Sequence, residues 1–147
     1  RSPNATRPWQ HVLEPLSGYL LLGEKLYIEN ELSGESFNFG PKSDDTFTVE
    51  NLIIDLSKYW KSQIINKPYK FTGTNSFDEA GLLKLNCDKA LFYLKWVPTL
   101  PYDRLIQFTS QWYHKYYENK ADIYDFTLNQ ISEYENIAHN NKATWTK

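Results

Sequence analysis

Methionine is missing from this 147-residue chain, cysteine occurs once and glycine only six times. The lone Cys87 has no partner for an internal disulfide, which suits a reducing, cytoplasmic setting. The glycines never stand closer than five residues apart, so the sequence holds no Gly-rich turn able to cradle a phosphate. His11, His114 and His139 are scattered, and with a single Cys no set has the spacing of metal ligands. Sequence order offers no Ser-His-Asp or Cys-His pairing either. Basic charge is short as well: 16 Lys and Arg stand against 18 Asp and Glu, which argues against a nucleic acid or an anionic membrane as partner. Apolar runs are short, about four residues around Tyr19 to Leu22, and cannot span a bilayer. No charged-then-apolar signal segment opens the chain. The lack of any Met, a first one included, points to a piece of a longer polypeptide.

What the chain has in excess is aromatic: 11 Tyr, 8 Phe and 5 Trp, 16% of the residues. Rings bury large areas, and Tyr and Trp keep a polar handle. Two uses stay open here, a core built on rings or a surface that faces a sugar or nucleotide. The length fits one domain with a sizeable core.

Helical signals dominate and predict a mostly α fold with a few short strands. Pro15 near a helix start introduces Leu16, Leu20, Gly23 and Tyr27 on one face, with Leu13 one turn before. Thr48 can cap a second helix that carries Val49, Leu52, Ile53, Leu56 and Trp60. Asn86 can cap a short third one with Ala90, Leu91 and Leu94 inward. Pro101 opens the longest amphipathic stretch, over 101–118, striped by Leu105, Ile106, Thr109, Trp112, Tyr113 and Tyr116. Thr127-Leu-Asn-Gln130 reads as a capping box before Leu128, Ile131 and Tyr134. Strands are expected at 9–12, 37–39 and 82–85, a long loop at 61–78, and a fraying polar tail at 138–147 whose only large apolar residue is Trp145.

The opening Arg7-Pro-Trp-Gln-His-Val-Leu-Glu-Pro-Leu16 holds the chemistry. Pro8 fixes the backbone, and Arg7, Trp9 and His11 alternate along an extended segment. A forked guanidinium in a rigid aromatic setting suits a diphosphate. A surface Arg beside a core Trp explains the same residues.

This stretch resembles the signature of CDP-glucose 4,6-dehydratases, members of the extended short-chain dehydrogenase/reductase superfamily that act on nucleotide sugars. The resemblance continues through Gly18 to Tyr27, Asn38-Phe-Gly-Pro41, Glu79 to Ala90, Leu94 to Pro98 and Thr109 to Tyr113. The family usually has His where Asp78 stands, Asp at Asn86 and Gly at Lys95. It implies that residues 1–137 are the C-terminal, substrate-binding lobe of an α/β enzyme, followed by the tail at 138–147. The segment resembling Ser36 to Gly40 would complete the sheet of an upstream cofactor domain. That missing domain would hold NAD and the Tyr-x-x-x-Lys catalytic pair, so no catalytic, cofactor or metal residue is expected here.

The resemblance also implies the activity of the complete, cytoplasmic and homo-oligomeric enzyme. It would be a lyase that converts CDP-D-glucose to CDP-4-keto-6-deoxyglucose, on the way to dideoxysugars of surface polysaccharide. NAD would take a hydride from C4 and return it at C6. Arg7 would pair with the diphosphate, Trp9 would wall the nucleotide site and Glu79 would sit near the substrate. Gly18 and Gly23 would pack closely against the missing lobe. The alternatives are a stand-alone helical interaction module, with Glu79 a surface carboxylate, or another nucleotide-sugar epimerase or decarboxylase of the superfamily.

Overall fold

The computed structural model describes residues 2–59, 68–70 and 80–146. Among them lie four α-helices: α1 (Leu13–Ile28), α2 (Val49–Ser57), α3 (Tyr102–Glu118) and α4 (Ile123–Asn140). Short 3-10 turns at Asn30–Leu32, Lys120–Asp122 and Thr144–Thr146 and one π-helical turn at Ala90–Leu94 complete the regular structure. The fold is mostly α.

The expected strands at 9–12, 37–39 and 82–85 are not formed. Among the described residues, strand-like pairing is limited to two isolated bridges, from Thr6 to Thr48 and from Thr6 to Leu82. An extended segment becomes a strand only when a neighbour runs beside it, and of these segments only Leu82 takes part in a bridge, with Thr6. Phe39 is used as a core side chain instead, with Leu21, Ala90, Leu94 and Trp96.

α1 begins two residues before Pro15, which falls in the first turn where a missing N–H costs nothing. Its inward face is Glu14, Ser17, Gly18 and Leu21. The expected face is the outer one: Leu20 is 76% exposed and Tyr27 93%. Gly18 is explained within the chain, because a Cβ there would lie 2.2 Å from the Phe39 ring. The open space around Gly23 sits on the outer face.

The Thr48 cap is borne out. Its hydroxyl accepts from Asn51 N at 3.0 Å, and Asn51 Oδ1 accepts from Thr48 N at 3.0 Å. Of the residues expected inward from it, Trp60 lies outside the described residues, as do 61–67 and 71–78 of the expected loop; 68–70 is irregular. Asn86 Oδ1 accepts from Asp88 N at 3.0 Å in a local turn, but the helical turn at Ala90–Leu94 follows Lys89 with no side-chain cap, and Leu91 points outward. The turn closes on Lys95 in the left-handed conformation, φ 55°.

α3 follows the expected span, and Leu105, Ile106 and Phe108 are buried. α4 starts four residues before Thr127, which is therefore no cap. The Thr127 hydroxyl donates to Ile123 O at 2.7 Å and accepts from Trp112 Nε1 at 2.9 Å, tying α4 to α3. Leu128 faces outward, and Gln130, Tyr134 and Ala138 face inward. An Arg104–Glu133 ion pair adds a second tie between the two helices.

The fraying expected at 138–147 is not seen among its described residues. Ala138 and Ala143 are buried, and Trp145 stacks on Tyr134 at 5.7 Å between centroids. Trp145 touches both core clusters, the one around Trp96 and the one around Phe108. One large ring outweighs the polar composition around it, since burying a side chain of that size contributes about 1.5–3 kcal/mol or more.

Candidate functional site

The segment from Thr6 to Val12 crosses the molecule as an irregular extended strip. Thr6 N donates to Gly81 O at 2.8 Å, and Val49 N to Ala5 O at 2.9 Å. Pro8 gives up a backbone donor where the strip needs none. Three small environments lie along the strip and beside the start of α1.

Arg7 and Trp9 line neighbouring crevices that share Pro41 and Asp45. Arg7 Nη1 donates to Thr6 O at 2.7 Å and to Ala80 O at 3.0 Å, which fixes the guanidinium against backbone. Ala80 is the chain neighbour of Glu79, and Glu79 itself lies outside the described residues. Beside Arg7 is a crevice of about 10 Å³ that also touches Lys42, Lys84 and Asp45. Lys84 Nζ is held to Ser43 O at 2.7 Å. Trp9 Nε1 donates to Phe47 O at 2.9 Å, and the Phe47 ring stacks on Tyr102 at 3.5 Å. Both residues singled out in the sequence are thus held in place by long-range contacts.

The second environment was not legible in the sequence. Glu14 is 1% exposed, and its carboxylate accepts from Leu100 N at 2.6 Å, Thr99 N at 2.9 Å and the Tyr134 hydroxyl at 3.2 Å. Ser17 Oγ donates to Glu14 O at 2.8 Å and accepts from Trp96 Nε1 at 3.0 Å. Burial pushes the Glu14 carboxyl above its ordinary range, while the hydrogen bonds from Thr99, Leu100 and Tyr134 pull the other way. Burial and then the Glu14 charge push the Tyr134 phenol up. This network joins α1, the 96–100 segment and α4. Its only sequence signal is the i, i+3, i+4, i+7 spacing of Glu14, Ser17, Gly18 and Leu21, which competes with the more apolar spacing one step along.

His11 occupies the third environment, a cavity between residues 10–13, α3 and α4. Burial holds its imidazole down to about 4, so the ring is neutral at pH 7. Leu13 N lies 3.4 Å from His11 Nδ1, which leaves the ring proton on Nε2. The ring meets Phe108 edge-on at 5.6 Å.

Among the described residues, no group of three or more His, Cys, Asp or Glu could hold a metal ion. No helix there is long and apolar enough to cross a membrane. The described residues do not fit NAD: among them α1 to α4 follow Val12, Thr48, Pro101 and Asp122, and none starts from a Gly-rich turn.

No family model matches the chain. Comparison with curated proteins finds CDP-glucose 4,6-dehydratase of Salmonella typhimurium (strain LT2), 36% identical over 134 residues. The matched region covers 91% of this chain and 36% of that enzyme, so the chain spans about a third of the length of the relative it matches. Through nine-tenths of its length, this chain is similar to part of a CDP-glucose 4,6-dehydratase.

Proposed function

We propose that the chain is the nucleotide-sugar-binding part of an NAD-dependent CDP-glucose 4,6-dehydratase, a lyase. The similarity to the Salmonella enzyme over 134 residues carries this reading. The geometry around Arg7 supports it. The guanidinium is anchored by carbonyls of Thr6 and Ala80 and has Lys42 and Lys84 beside the same crevice. Three cationic side chains against one carboxylate, Asp45, leave the opening net positive, which favours an anionic group. The crevice has room for little more than a water, so a diphosphate would lie across its mouth.

In this reading Arg7 orients the diphosphate and Trp9, locked through Phe47, forms a rigid wall for the nucleotide. Glu79, next to the Ala80 carbonyl that receives Arg7, contacts the substrate. The cofactor domain, with NAD and the catalytic Tyr/Lys pair, is supplied by polypeptide outside this chain, and the complete enzyme is a homo-oligomer. NAD, when bound there, supplies the hydride acceptor for the dehydration. The chain by itself turns nothing over.

Product analysis tests the proposal. Protein from the complete reading frame should convert CDP-glucose, and not UDP-glucose, to a 4-keto-6-deoxy product with loss of water. The 147 residues alone, given NAD, should leave CDP-glucose unchanged. A UDP-sugar epimerase or decarboxylase product, or turnover by the 147 residues, would overturn it.

A further inference from the structure

We propose that the cavity between residues 10–13, α3 and α4 is a binding site for a small, uncharged, planar aromatic molecule that carries an N–H donor. The cavity measures about 350 Å³, within the range of small-ligand sites and enough for a two-ring compound. It is distinct from the Arg7 crevice, with no lining residue in common, and the inference does not rest on the proposed function.

The lining sets the chemistry. None of the ten lining residues is Asp, Glu, Lys or Arg. A phosphate or carboxylate ligand would lose its hydration there with no cation to replace it. Trp112 and Tyr113 from α3, Ile131 from α4 and Leu13 from α1 supply flat and aliphatic walls. Polar groups stand among these walls, notably Gln10, whose buried Oε1 has no partner among the described residues, Gln130 and His11. Gln130 spends its amide on Phe108 O at 2.9 Å, and no described residue donates to its carbonyl oxygen. His11, neutral at pH 7, has its proton on Nε2 and no charge to attract an anion.

The walls are also fixed before any ligand arrives. Trp112 is held at Nε1 by Thr127 and stacked at 5.3 Å on Tyr116, with interplanar angle 9°. Its edge meets Tyr113 at 5.3 Å. A preformed slot costs little ordering on binding, which favours a rigid ring over a flexible chain.

Indole, 1-methylindole and indole-3-carboxylate are the probes, titrated into the isotopically labelled 147-residue chain and followed by amide and indole N–H resonances. Indole should give saturable shifts centred on Trp112, Thr109 and Gln130. Loss of the donor in 1-methylindole should weaken binding about three- to tenfold, the size of one neutral hydrogen bond. The carboxylate should bind more than tenfold more weakly than indole. Thr109→Phe, which fills the cavity, should weaken indole at least tenfold; Ile131→Trp serves if that variant does not fold. No saturable shift up to the solubility of indole would overturn the proposal. So would equal binding of indole-3-carboxylate or 1-methylindole, or an unchanged titration in a folded cavity-filled variant. CDP-glucose conversion is a separate readout, and its failure would leave these titrations as they stand.

Discussion

Glu14→Ala should be among the most damaging single substitutions in the chain. The carboxylate is the acceptor for Thr99 N and Leu100 N, and all three groups are buried. Truncation leaves two buried amides without a partner at about 1–3 kcal/mol each. It also removes a link to Tyr134 Oη. Against this, the ionised carboxylate is itself penalised by burial, which its raised pKa reports, so part of the loss is returned. The net expectation for Glu14→Ala is roughly 3 kcal/mol. Glu14→Gln keeps one oxygen for the two amides and turns its NH₂ toward Tyr134, so it should cost about 1 kcal/mol or less. Urea denaturation at pH 7, read with m held constant, measures both. The pH dependence gives an independent check. A carboxyl whose folded pKa lies above its unfolded value binds more protons when folded. It therefore makes stability fall as pH rises from about 4.5 through the folded pKa, and stay level above. Wild type minus Glu14→Gln should show that downward slope. A Glu14→Ala loss within about 0.5 kcal/mol of zero, or Gln as costly as Ala, would refute the reasoning.

His11 works in the opposite sense. With its folded pKa held down to about 4 against 6.5 unfolded, the unfolded chain takes up the proton first. Stability present above pH 6.5 should drop by roughly 3 kcal/mol as pH falls toward 4, and His11→Phe should remove that drop from the pH–stability curve. The two α1 glycines should part company in thermal melts: Gly18→Ala should destabilise by about 1–3 kcal/mol against the Phe39 ring, and Gly23→Ala should stabilise by up to about 1 kcal/mol. Lys95→Gly should stabilise by about 1 kcal/mol, seen as a rise of a few degrees in Tm, because Lys95 holds a left-handed C-cap.

Helix existence was legible because periodicity and caps are local. Thr48 with Asn51 and the Leu105–Ile106 stripe both act within a few residues. Helix facing was not. α1 offers two apolar faces, and the one chosen by the core contains Glu14 and Ser17, whose burial depends on Thr99, Leu100, Trp96 and Tyr134 far along the chain. Thr127 misled for a related reason, since a hydroxyl that can cap can equally bond back to Ile123 and hold Trp112. The tail was misread from composition, while a single ring, Trp145, decides its fate. Lys95 is instructive: its backbone takes a conformation that favours Gly, a strain that no local pattern in the sequence announces. Of the candidate site, Arg7 and Trp9 were legible as residues, whereas their anchors at Ala80 and Phe47 come from segments far off in sequence.

The central claim is that Arg7 receives the diphosphate of a nucleotide sugar. Calorimetric titration of CDP-glucose into the complete protein and its Arg7→Ala variant tests it most directly. A guanidinium making charge-assisted bonds to a diphosphate contributes roughly 1.5–3 kcal/mol, so affinity should fall by about one to two decades. Arg7→Lys should recover only part of that, because a point charge lacks the fork. Titrations of wild type and folded Arg7→Ala that superimpose would contradict the account.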